Sequence, residues 1–437
     1  MTPTKIIRNY FIIAGLYTLS ASLIWGVNTL FLLNAGLNIA GVFLANSAFS
    51  ISMAVFEIPT GILADTSGRR VSFLFSVAVL TVGTLGYAGI AAAGGGLPLF
   101  VLASVVLGLG YTFYSGAVEA WLVDGLNAAG YDGKLDQVFA RGSLVTGAAM
   151  LVGSVGGGFL GDLDLALPFL LRAAFLAILF VIAYFTMHDT GYTRRPLTIS
   201  AIPVEVNAVL RASVKYGWQQ RPVRLLMGVS FIQAIFTAWG FHASQPYLLA
   251  LLGQDTVWVV GIISALVALS TMAGNSLVEW FTRYCGKRTT LLLWAAVIQA
   301  VAAVGMGLAG SFWLAVPSFL VMMVGTGITS PVYQAMLHRL IPSKQRATIV
   351  SFNSMIASGG STLGQSSLGS LAQARSIGSG YVAGGLATLL AVPILGRLRR
   401  LGDPADVIVG TAGKRGACAA QGLPEITAVD THVATAA

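Results

Sequence analysis

Charge is what this 437-residue chain has least of. Lys, Arg, Asp and Glu make up 9% of it, against 56% hydrophobic residues. Soluble domains carry about 25% charged residues, so a water-soluble globule is excluded. Histidine (4) and cysteine (2) are also scarce. Cys285 and Cys418 are distant, and His188, His242, His338 and His432 are scattered. No metal-ligand spacing results, and no catalytic cluster that a membrane-embedded enzyme would need. No Walker loop and no credible dinucleotide fingerprint occurs. No cofactor is expected, and work done on a solute must draw on an ion gradient, with protons the expected ion.

What the chain does have is long apolar runs. A bilayer core about 30 Å thick needs roughly 20 apolar residues per helix. Twelve such segments are read, at 8–32, 38–64, 72–92, 97–124, 138–161, 166–187, 223–251, 256–281, 289–309, 312–338, 345–372 and 377–397. Their length and uniformity exclude the two-residue alternation of a membrane β-barrel. The expected fold class is an all-α membrane protein.

Basic residues orient it. Of 25 Lys and Arg, 23 fall in seven short stretches: at the N-terminus, after every even-numbered segment and at the C-terminus. Only Arg172 and Arg375 fall elsewhere. The positive-inside rule places those stretches, and both termini, in the cytoplasm. The net charge of +9 is therefore topological, and no basic face of a soluble domain exists to hold nucleic acid. The first segment follows Lys5 and Arg8 but is too long for a signal peptide core, and it is read as a retained helix.

The chain also repeats itself. RGSLVTGAAM (141–150) aligns with RATIVSFNSM (346–355), and EAWLVDGL (119–126) with QAMLHRLI (334–341). The expected division is a six-helix bundle over 1–187, a cytoplasmic linker over 188–222, a second six-helix bundle over 223–400 and a disordered tail over 401–437. A short amphipathic helix is expected over 203–217, with Val204, Val206, Val209 and Leu210 on the membrane surface beside Arg211 and Lys215. Parallel six-helix repeats place a solute site between two bundles.

EIPTGILADTSGRR (57–70), between segments 2 and 3, resembles the signature loop of the major facilitator superfamily, G-x-L-A-D-x-x-G-R-K/R. Gly61, Leu63, Ala64, Asp65, Gly68, Arg69 and Arg70 match it position by position. The second-half copy is degraded: with Gly286-Lys287-Arg288 aligned on Gly68-Arg69-Arg70, Arg283 stands where Asp65 does. The resemblance covers 8–397 and implies a secondary transporter working by alternating access. It also implies a pair between Arg69 and Asp124. In the loop itself, Gly61 would let helices approach and Gly68 would permit a tight turn. Asp65 could cap segment 11 near Ala347 to Val350. Gly61, Asp65, Gly68, Arg69, Arg70, Asp124 and Arg141 are the candidate conformational switch, holding the cytoplasmic face shut in an outward-open state. A turn whose basic pair only fixes topology is the alternative.

Glu57 and Glu119, acids inside spans, are candidate proton carriers; bracing helices is their alternative role. Segment 1 carries no acid, only Asn28, whereas several drug-antiporter groups of the family have one there. Segments 1, 4, 7 and 10 line the cavity in the family. Candidate cavity residues are Trp25, Asn28, Tyr111, Tyr114, Gln233, Trp239, His242, Gln245, Tyr333 and Gln334, with Arg172 from segment 6. Aromatic walls would suit a moderately apolar solute, cationic or neutral. Gly147, Gly153, Gly156, Gly157, Gly158 and Gly161 resemble the fifth-helix antiporter signature of the family, with Ser154 in place of its proline. Close helix packing also explains them.

The expectation is a monomer in a bacterial cytoplasmic membrane, with the lipid bilayer and a small-molecule substrate as its partners. It exports a small organic solute against protons. A proton-linked importer, a lipid flippase and a non-transporting receptor or scaffold are the alternatives.

Overall fold

A computed structural model describes residues 2–114, 116–191, 202–254, 256–342 and 345–408. The described chain is helical throughout. The first half holds α1 (Pro3–Ser22), α2 (Asn28–Asn34), α3 (Ile39–Ser67), α4 (Arg69–Ala92), α5 (Leu97–Tyr114), α6 (Ala117–Ala128), α7 (Leu135–Leu163) and α8 (Leu167–Thr186). A connecting helix α9 (Ile202–Ser213) runs into one π-turn, Val214–Trp218. The second half holds α10 (Arg221–Leu252), α11 (Val257–Thr282), α12 (Arg288–Gly307), α13 (Phe312–Leu340), α14 (Arg346–Ala374), α15 (Ile377–Thr388) and α16 (Ala391–Arg400).

Three expected segments are broken. The first becomes α1 and α2, the fourth α5 and α6, the twelfth α15 and α16. In the fourth, Gly116 adopts a left-handed φ of +74° ahead of α6. In the twelfth, Pro393 has no N–H to offer Leu389, and the chain tightens into i→i−3 bonds such as Val392 N–H to Leu389 O, 2.9 Å.

Among the described residues, ten helices are long and apolar enough to cross a membrane, counting α5–α6 and α15–α16 as one each. Twelve were expected. The two others do not reach that hydropathy: α1 is cut short by the break after Ser22, and α14 is dense in Gly and Ser (SGGSTLGQSSLGS, 358–370).

Each half builds its own apolar core. One cluster joins Tyr10, Phe31, Phe73, Phe100, Trp121 and Phe169 of the first bundle. Two clusters fill the second, one around Trp239, Phe319 and Tyr381 that also takes in Phe43 of α3, and one around Leu226, Leu292 and Leu395. Two seams join the bundles, α3 on α14 and α7 on α11. The expected linker helix is present as α9, but it packs against α3 and α14 rather than lying on the membrane alone. Val206, Val209 and Leu210 are half-buried, and Val204 is exposed.

The expected tail is folded at its start. Pro404–Asp406 form a 3-10 turn, and Asp406 is 1% exposed. Its carboxylate accepts from the Thr289 backbone N–H (2.7 Å) and the Thr289 hydroxyl (2.8 Å). Arg288 Nη1 donates to the carbonyls of Ala405 (2.8 Å) and Val407 (2.6 Å). An acid thus caps the positive end of α12. The first half does the same: Asp189, just past α8, accepts from the Arg70 backbone N–H at the start of α4 (2.9 Å). In both repeats the chain after the last long helix returns to cap the third. Residues 409–437 of the expected tail, with Lys414, Arg415, Cys418 and His432, lie outside the described residues, as do Arg194, Arg195, Asp255 and Lys344.

Asp406→Ala leaves two buried donors without acceptors. The expected cost is about 2–4 kcal/mol, read as a lower apparent Tm in detergent. Asp406→Asn keeps one acceptor oxygen and is expected to recover part of it.

Candidate functional site: a cavity between two bundles

Between the bundles lies a cavity of about 780 Å³. Its floor and walls come from seven first-bundle helices (α1–α5, α7 and α8) and from α10 and α11. Tyr17, Thr18, Ala21, Ile24, Trp25 and Asn28 enter it from one face of the first segment. Tyr17 stacks on Tyr114 with ring centroids 3.6 Å apart and planes 4° from parallel. Tyr111 lies beside Tyr114 and Phe49, at 6.3 and 6.1 Å. These rings make an aromatic wall spanning α1, α3 and α5. Polar atoms come from Asn28, whose Nδ2 donates to Asn46 Oδ1 (3.3 Å), and from Ser264, Thr271 and Asn275. Arg172 and His242 face each other's bundle across the same space.

Of the eleven residues expected in a cavity, six line this one: Trp25, Asn28, Tyr111, Tyr114, Arg172 and His242. The other five sit elsewhere. Gln233 lines a small separate gap with Gln299 and Thr326. Trp239 is fully buried in the second core, 5.1 Å from Tyr381. The Tyr333 hydroxyl is buried and donates to Asn353 Oδ1 (2.6 Å). Gln334 is exposed and does not line the cavity. Segment number selects a helix, whereas lining depends on which face turns inward; that is why these assignments fail. Tyr17, Tyr87, Asn46 and Asn275 were missed. The spacing 17, 18, 21, 25, 28 is one helical face, and it could have flagged Tyr17.

Gln245 does something different. Its Nε2 donates to the Trp25 carbonyl (2.7 Å), and its Oε1 accepts from the Thr29 backbone N–H (2.8 Å). Those two groups, four residues apart, would bond each other in a continuous helix. The amide of α10 therefore sits inside the hydrogen-bond ladder of the first segment. A side chain inserted there is a recognised cause of a helix break, and it accounts for the gap between α1 and α2.

Gln245 belongs to a seal at the end of the molecule opposite Pro3. Phe43 of α3 is fully buried against Trp239, ring centroids 5.6 Å apart. The Ser47 and Ser366 hydroxyls meet at 3.0 Å, and those of Ser50 and Ser361 at 3.3 Å. Gln365 Nε2 donates to Ser50 Oγ (3.1 Å). Asp162 at the end of α7 accepts from the Val257 N–H at the start of α11 (2.8 Å). Glycines make the closest approach. A methyl group on Gly158 would stand 2.6 Å from Gly261 Cα, so α7 and α11 touch backbone to backbone. Gly153 and Gly157 seat the same helix on the backbone of α1.

The other end is looser. The halves of α3 and α14 nearer the termini enclose a second space of about 230 Å³, lined by Met53, Glu57, Tyr111, Ser354, Met355 and Ser358. Glu57 is thus at a gap between the bundles, while Glu119 is exposed in the first turn of α6. Gly68 has a φ of +107° and joins α3 to α4, as its turn requires. Arg69 pairs with Asp65 (2.7 Å), and its Nε lies 3.9 Å from Asp124. Arg70 Nη2 donates to the Tyr184 carbonyl (2.7 Å), and the guanidinium lies over the Tyr184 ring. Arg141 is exposed on α7. Gly61 does not mediate a close approach: a methyl there would meet nothing within 4 Å, because no helix crosses α3 closely at that point.

An all-helical chain with two bundles, a central cavity and one sealed end has the build of a multi-pass membrane transporter. No family model matches the sequence. An uncharacterised MFS-type transporter, YxaM of Bacillus subtilis (strain 168), is 22% identical over 384 residues, 84% of this chain and 88% of the relative. The class G tetracycline resistance protein of Vibrio anguillarum is 26% identical over 375 residues, 80% of this chain and 86% of the relative. The crystal structure of the nucleoside transporter NupG superposes with a TM-score of 0.73 at 11% identity, over 90% of this chain and 99% of that one. The sequence is thus similar, over most of its length, to transporters of the major facilitator type. The proteins it resembles are transporters and not enzymes.

Proposed function

We propose that the chain exports a small organic solute from a bacterial cytoplasm in exchange for protons, through twelve spans with both termini inside. The observation that carries this reading is the cavity between the bundles, sealed at one end by contacts that can separate. With the basic loops in the cytoplasm, the sealed end faces outward and the cavity faces the cell interior, where an exporter loads. The tetracycline resistance relatives support efflux. Glu57, at the gap between α3 and α14, and His242, in the cavity wall, are the proposed proton carriers. On the return swing, the cluster of Asp65, Arg69 and Asp124 would latch the cytoplasmic ends, with Gly61, Gly68, Arg70 and Arg141 around it.

Proteoliposomes with an imposed pH gradient test this. Tetracycline and a panel of labelled organic anions, cations and neutral solutes should include at least one whose accumulation collapses with a protonophore. Glu57→Gln should abolish gradient-driven accumulation and leave solute exchange at equilibrium intact. Absence of gradient-driven flux across the panel would favour a receptor role, and flux along the proton's direction would make the chain an importer.

A further inference from the structure

Arg172 is the one permanently charged side chain among the residues lining the cavity, and no Asp or Glu lines it. It rises from the second turn of α8, below the sealed end. Its Nε is inaccessible to solvent and has no hydrogen-bond partner. Among the described residues, no carboxylate forms a salt bridge with it, and Tyr17 and Tyr87 line the same cavity. Arginine cannot shed its proton, so its charge stands in a confined, largely apolar space. A buried cation without a counter-charge is unfavourable, and inside membrane proteins such groups mark solute pathways. Guanidinium also presents a planar fork that matches a carboxylate with two parallel bonds. The surrounding wall of Tyr17, Tyr87, Tyr111, Tyr114 and Trp25 offers ring faces and edges to a flat apolar body.

We propose that the cavity selects organic anions: an aromatic or similarly flat body bearing one carboxylate, which Arg172 receives. This rests on the transport reading and specifies its substrate class. It replaces the expectation of a cationic or neutral solute drawn from aromatic content. A cation entering this cavity would meet like charge, and a neutral analogue would leave the guanidinium unpaired.

Binding to the purified full chain tests the proposal without requiring transport. The probes are three naphthalenes bearing a carboxylate, a carboxamide or an aminomethyl group, measured by equilibrium dialysis. The carboxylate should bind at least ten-fold more tightly than the amide, about 1.4 kcal/mol, and the ammonium should bind most weakly. Arg172→Gln should equalise carboxylate and amide, whereas Arg172→Lys should keep part of the preference. Equal affinities for the three probes on the unaltered chain, a preference for the ammonium, or no binding of the carboxylate would each overturn the proposal, whether or not Arg172→Gln folds. Carboxylate binding without flux in proteoliposomes would leave the anion site standing and remove the transport reading. Competition by a phosphatidic acid vesicle but not by soluble carboxylates would assign the guanidinium to a lipid headgroup and overturn it too.

Discussion

Replacing Gln245 with leucine is expected to open the sealed end. The substitution keeps bulk but removes both hydrogen bonds to the first segment. Only the closed arrangement loses them. Once the bundles part, Trp25 O and Thr29 N–H can bond each other and close the helix ladder, so the open arrangement strands neither group. Two neutral hydrogen bonds are worth about 2 kcal/mol net, a shift of roughly 30-fold in the ratio of the two arrangements. Spin labels at Leu163 and Leu308, both highly exposed near that end, would report it as a new, longer distance population. An unchanged distribution would mean that Gln245 only fills space. Gln245→Glu offers a finer control, since it keeps the acceptor for Thr29 and removes the donor to Trp25.

The second large effect belongs to Gly158. Alanine at an ordinary helical glycine gains roughly 0.5–1 kcal/mol. Here its methyl would stand 2.6 Å from Gly261 Cα and 2.9 Å from Gly261 N, both backbone atoms that cannot swing aside. Overpacking of this kind costs about 1–3 kcal/mol, and only the closed seam bears it. Gly158→Ala is therefore expected to lengthen the same distance, and Gly158→Val more so. Gly156→Ala is the control, because nothing stands within 4 Å of its added methyl. It should leave the distances alone and raise Tm slightly. A Gly158→Ala protein with the closed distance distribution intact would show that α7 and α11 can slide apart without unsealing the cavity.

Helix spans were legible because lipid imposes one length and one polarity on each, and the described helices fall close to the segments read from hydropathy. Breaks were not legible. The gap after Ser22 depends on an amide 216 residues away from Thr29, and no local propensity encodes it. The same limit applied to the cavity. Segment membership pointed to Trp25, Asn28, Tyr111 and Tyr114, but side-chain facing decided against Trp239, Tyr333 and Gln334, and facing follows from how helices rotate in the bundle. Arg172 and Gln245 were visible as polar residues in apolar runs. Their partners, or lack of them, were not. The signature loop showed where Asp65 and Arg69 would sit, while Asp189, which holds the same turn from across the bundle, carried no sequence signal of its own. The glycines of α7 were read as packing residues, yet only the structure divides them between a permanent neighbour, α1, and a separable one, α11.

Asp406 also fixes where this molecule can be joined to another. The last long helix ends at Arg400, a natural place to attach a reporter or a purification handle. Eight residues further, Ile408 still donates its N–H to the Gly286 carbonyl at 3.1 Å. A fusion spliced at Arg400 would delete the stopper on α12 and loosen the half of the protein that carries Gln245, whereas one spliced past Ile408 leaves it in place.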